Sequence, residues 1–142
     1  MSAFNESGSS DLAIYFGDFL ATMASWTFPA MSDSVLMARQ QVTALLSNEN
    51  SIDLDHAIAV TSELVANSVV HAATELHVVL ERWQYMVKVV VEDLNDQVPV
   101  MRSMDVAVDS GRGMHIIDKF ADLWGYELTE NGKRIWAGFT VN

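Results

Sequence analysis

Glu63, Asn67 and His71 recur every four residues within the run Ser62-Glu63-Leu64-Val65-Ala66-Asn67-Ser68-Val69-Val70-His71-Ala72. On an α-helix that spacing keeps three side chains on one face, each about 5.4 Å further along the axis. The neighbouring positions are apolar. Asn is a poor helix former, and an ionised Glu is rarely buried alone, so such a column is costly unless it faces solvent or a ligand. A solvated helix face with chance spacing is the plainer reading of this segment by itself.

Two further sites carry chemical potential. Asp93 ends the apolar run Met86 to Glu92, where a strand opens into a long polar loop, a common place for a ligand contact and also for an ordinary turn. Ser110-Gly111-Arg112-Gly113-Met114 stands where a helix begins. Glycines there let backbone N–H groups approach an anion, the helix dipole favours negative charge, and Arg112 is one of only eight cations in the chain. Together the three segments supply complementary parts of a nucleotide site: a metal and base face, an acid that reads a nucleobase, and a phosphate cradle. His56, His77 and His115 show no ligand-like spacing, and no transition-metal site is expected.

Composition limits what else the chain can do. Its 142 residues suit one domain, and 50% hydrophobic content against 19% charged supports a sizeable core. Nineteen acidic and eight basic residues leave a net charge of -11, which opposes direct binding to nucleic acid. With no cysteine there is no disulfide, thiolate metal site or thiol chemistry, which fits a reducing compartment. The first basic residue is Arg39, and the early apolar stretch Leu12 to Ala24 is broken by Asp18. No export or membrane segment is therefore expected, and a cytoplasmic location is.

The elements that must position these residues follow from periodicity. Residues 1–24 read as a polar tail and an extension, whose segment Asp11 to Met23 fits a short helix or a strand, and residues 25–142 as one domain. Ser25 to Phe28 reads as a strand ended by Pro29. Helical spacing predicts Ser32 to Ser47, with Val35, Ala38, Val42 and Leu45 or Leu46 inward, and Asp53 to Ala73, with Leu54, Ile58, Leu64, Val65 and Val69 inward. Leu76, Val78 and Leu80 then alternate with polar residues, and Met86 to Glu92 is β-branched, so a strand pair is expected. A third helix starts near Gly113. A hairpin closes the chain, with a type I′ turn at Asn131-Gly132 and a packed set of Trp124, Tyr126, Ile135 and Phe139. This order predicts an α+β fold, a two-layer sandwich with a mostly antiparallel sheet and helices on one face.

The run from Ser62 to Ala72 closely resembles the N box of the Bergerat-type (GHKL) ATPase and kinase superfamily, and within it the anti-sigma factor serine/threonine kinases and related small ATP-binding regulators of actinobacteria. Phe28-Pro29 before Ala38-Arg39, Asp93 before Pro99 and Arg102, Gly111-Arg112-Gly113-Met114, Ala121-Asp122-Leu123-Trp124-Gly125, and Gly132-Lys133 before Trp136-Ala137 extend the resemblance from Ser25 to the C-terminus. It implies the Bergerat ATP-binding fold, with ATP and Mg²⁺ as cofactors. Glu63 would be the catalytic base, Asn67 the Mg²⁺ ligand, and His71 a supporting residue of the site. Asp93 would accept a hydrogen bond from the adenine amino group, and Gly111, Arg112, Gly113 and Met114 would line the phosphates. The implied activity is phosphorylation of Ser or Thr on an antagonist protein, with a sigma factor as the other partner and a homodimer as the assembly.

The chain departs from that pattern directly after Asp93. Leu94-Asn95-Asp96 stands where the superfamily has glycine; Asn95 tolerates a positive φ, whereas Asp96 adds a carboxylate near the phosphates. A second function is accordingly open: a non-catalytic interaction module with a degenerate nucleotide pocket that sequesters a sigma factor or its antagonist.

Overall fold

The computed structural model describes residues 4–5, 13–72, 74–95 and 112–141. Two short elements come first, β1 (Phe4–Asn5) and α1 (Ala13–Phe16), followed by β2 (Phe19–Phe28), α2 (Asp33–Leu46) and α3 (Leu54–Asn67). A π turn (Ser68–Ala72) extends α3. Then come β3 (Leu76–Trp83), β4 (Met86–Asp93), α4 (Arg112–Phe120), β5 (Leu123–Leu128) and β6 (Lys133–Thr140). The fold is α+β. One sheet has the order β1-β5-β6-β4-β3-β2, with β1 parallel to β5 and every other pairing antiparallel.

Strand alternation divides the side chains into two sets. Val78 and Leu80 of β3, Val87, Val89 and Val91 of β4, and Ile135, Ala137 and Phe139 of β6 join one core cluster with Ala38, Val42 and Leu46 of α2 and Leu64 and Val65 of α3. Met114 and Ile117 of α4 complete it. The intervening positions Met86, Val90 and Trp136 form a second cluster with Leu123 and with Phe16 of α1. Phe16 packs tilted on Trp83 and edge-on to Trp136, at 5.5 and 5.2 Å between ring centres. Lys88 lays its ammonium over Phe16, Trp83 and Trp136 at 4.9, 5.4 and 4.9 Å.

The helices begin where the sequence suggests. Asp53 is extended (φ -81°, ψ 105°) and its carboxylate accepts the His56 N–H at 3.1 Å, so it caps α3. Ser32 makes no capping hydrogen bond; Ser34 instead donates to the Pro29 carbonyl at 2.7 Å and fixes the entry to α2. Of the two candidate leucines in α2, Leu46 is buried and Leu45 is exposed. Among the described residues no helix is long and apolar enough to cross a membrane.

Three local expectations need correction. The strand expected at Ser25 begins at Phe19, because β3 runs on to Trp83 and gives Phe19, Ala21 and Thr22 ladder partners, with register shifts at Phe19/Ala21 and Thr22/Ala24. Phe4–Asn5, read as tail, adds a short strand beside β5. The type I′ turn is absent. Among the described glycines only Gly17 has a positive φ (71°), and Leu128 pairs directly with Lys133 around the four-residue loop 129–132. That loop is closed by Thr129 N–H to Gly132 O and by Gly132 N–H to Thr129 Oγ1.

Candidate functional site

The predicted column on α3 holds only in part. Glu63 and Asn67 are half-buried one turn apart, whereas His71 is exposed, because the backbone after Asn67 changes to the wider π winding. A π turn closes i to i+5 hydrogen bonds, so spacing by four no longer returns to the same face. Burial pushes the Glu63 carboxyl above the ordinary glutamate range, which suits a group asked to take up a proton.

The π turn is tied to the end of β4. Ser68, buried, donates from Oγ to Asp93 Oδ2 at 2.8 Å. The Leu94 N–H donates to Thr74 Oγ1 at 3.1 Å, and Asn95 Nδ2 reaches the His71 carbonyl at 3.5 Å. The structure therefore gathers the end of α3, Asp93 and Asn95 at one end of the sheet. Met114 lies in the larger core cluster, 3% exposed. Arg112 and Gly113 form the first turn of α4; Gly111 and Asp96 lie outside the described residues.

Asp93 heads a buried polar cluster. Its side chain is 1% exposed, and three donors already use it: Ser68 Oγ on Oδ2, and the Asn95 N–H and Lys133 Nζ on Oδ1, both at 3.0 Å. Lys133 is equally enclosed, 2% exposed, and also donates to the Asn95 carbonyl at 3.1 Å. A buried lysine and aspartate must be paired, since desolvating either charge alone costs several kcal/mol (roughly). As placed, Asp93 is shared by three donors, two of them on Oδ1, and Oδ2 accepts from Ser68. Among the described residues no cluster of His, Asp or Glu is arranged to hold a metal ion, and Asn67 offers one amide oxygen.

Lys133 and Ser68 were not among the sequence-derived site residues. The signal for Lys133 was available: counting back by two from Phe139, Ala137 and Ile135 places it on the core side of β6, and the register sets it directly opposite Asp93. Gly132 permits this approach, since a Cβ there would stand 1.9 Å from the Asp93 carbonyl oxygen. A cavity of about 350 Å³ lies at the end of β4, and Asp93 lines it with Glu75, His77, Glu92 and Asn131. Thr27 Oγ1 and His77 Nδ1 are 3.1 Å apart at its edge.

Neither a family model nor a curated protein matches the chain.

Proposed function

We propose that this chain is a regulator that works by protein contact: a two-layer Bergerat-type domain with a closed nucleotide pocket, which sequesters a sigma factor or its antagonist in the cytoplasm. The observation that carries the reading is the Asp93 carboxylate, enclosed and shared by Ser68, Asn95 and Lys133. A site meant to bind adenine through that acid leaves an oxygen open to it. The sequence resemblance supplies the class of partner, and the net charge of -11 suits a basic surface such as the DNA-binding face of a sigma factor.

Glu63 favours a second reading, the serine/threonine kinase acting on an antagonist, because a half-buried carboxyl with a raised proton affinity is suited to serve as a base. Capture of partners on the tagged full-length chain, with and without ATP and Mg²⁺, separates the two. The contact reading expects a complex that weakens with ionic strength and ignores ATP. A captured protein that becomes phosphorylated on Ser or Thr, and does not with Glu63→Gln, establishes the kinase instead.

A further inference from the structure

The chain has three lysines, in three different settings. Lys119 is exposed near the end of α4, and Lys133 is enclosed with Asp93 as its counter-charge. Lys88 is half-buried in the middle of β4, on the sheet face that carries Met86, Val90 and Trp136. Three aromatic rings surround its ammonium, those of Phe16, Trp83 and Trp136. Gly138 faces it across the β4–β6 ladder. A Cβ there would press on Met86 Sδ at 2.9 Å and touch the Phe16 ring at 3.8 Å, so the glycine leaves room for this packing.

The nearby carboxylates are committed to other donors. Glu81, the cross-strand neighbour of Lys88, accepts the Trp83 indole N–H at 2.9 Å, and Glu127 holds Arg134, which also donates to Glu92 at 2.6 Å. Lys88 is left with rings and no ion pair or hydrogen bond. Among the described residues no enclosed side-chain nitrogen lacks a hydrogen-bond partner, so the Lys88 amine must still touch solvent. Ring faces return part of the hydration that an ammonium loses, but none of them accepts its hydrogens as a carboxylate would. Burial is the largest influence on its proton affinity and lowers it; Glu81 and Glu127 pull the other way, and Arg134 acts with burial. A desolvated amine that reaches solvent is an activated nucleophile.

We propose that Lys88 is a modification site, the acceptor of the acyl group from a small acyl thioester. Its neutral Nζ attacks the thioester carbonyl, a C–N bond forms, the C–S bond breaks, and the proton shed by nitrogen ends on the departing thiol. The product is a neutral amide. That outcome suits a cage without a counter-charge, whereas alkylation would leave the positive charge in place. Strand alternation puts Lys88 and Asp93 on opposite faces of β4, so the site is independent of whether the nucleotide pocket is closed.

The test incubates the full-length chain with acetyl-CoA over a range of pH and follows acetylation of Lys88 and Lys119 by mass spectrometry of chymotryptic peptides. Near neutral pH, Lys88 is expected to react at least about fivefold faster than Lys119, the larger neutral fraction being only partly offset by weaker nucleophilicity. The ratio narrows as pH approaches the ordinary lysine value of 10.5, where Lys119 loses its proton too. In denaturing urea the two rates converge, because the preference belongs to the folded cage. Lys88→Arg removes the fast site and leaves the Lys119 rate unchanged. A Lys88 rate at or below that of Lys119 in the folded chain overturns the proposal, and so does a preference for Lys88 that survives in urea.

Discussion

Replacing Lys133 with Met removes the charge and keeps most of the stem. The variant leaves Asp93 at 1% exposure with Ser68 and the Asn95 N–H as donors but no counter-charge. Breaking a buried pair in this way costs about 3–5 kcal/mol, a large share of the roughly 5–15 kcal/mol that holds a domain together. For a chain of this length that is a fall in melting temperature of roughly 10–20 °C. Urea unfolding followed by the fluorescence of the four tryptophans reads it directly. The double variant Asp93→Asn/Lys133→Met strands nothing and recovers to within about 1–2 kcal/mol of wild type. A Lys133→Met cost below about 1 kcal/mol would mean instead that Asp93 is in contact with water and open to ligands.

Other consequences concern the parts that hold this pair and the opposite side of the sheet. Gly132→Ala pushes a methyl to 1.9 Å from the Asp93 carbonyl, so β6 must shift and stability should fall by at least about 2 kcal/mol in the same urea assay. Phe16→Ala removes a ring packed on Trp83 and Trp136 and should cost about 3 kcal/mol, with a matching loss of near-ultraviolet dichroism. Burial lowers the Lys88 pKa, against the opposing pull of Glu81 and Glu127, so the unfolded chain binds more protons between that lowered value and the ordinary lysine value near 10.5. The Lys88 contribution to stability therefore rises with pH across that window, and Lys88→Met should abolish that part of the slope. Glu63 has the opposite sign: its raised pKa makes its contribution fall as pH climbs from the ordinary value near 4.5 through the raised one, a slope that Glu63→Gln should remove.

Much of this arrangement was legible in the residue pattern. The helical spacing of Ala38, Val42 and Leu46 and the alternation of Val78 and Leu80 each name a single inward face, and the structure buries those faces. The switch from α to π winding after Asn67 was not legible, because Ser68-Val69-Val70-His71 remains compatible with a continued helix; the ties from Ser68 to Asp93 and from Asn95 to the His71 carbonyl are made across the fold. The role of Asp93 depended in the same way on a residue forty positions later. Asn131-Gly132 carried a turn signal, yet the glycine is required by the approach of two strands and not by a positive φ. The start of β2 was missed for a different reason: Phe19 to Phe28 has neither helical nor alternating periodicity, and its pairing with β3 sets its length.

Whether Asp93 is closed to nucleotide is decided by calorimetric titration of the chain with ATP and Mg²⁺. The enclosed Asp93–Lys133 pair predicts no binding heat at millimolar nucleotide. Binding in the micromolar range that is abolished by Asp93→Ala and by Asn67→Ala would contradict it, and would return the site to the kinase.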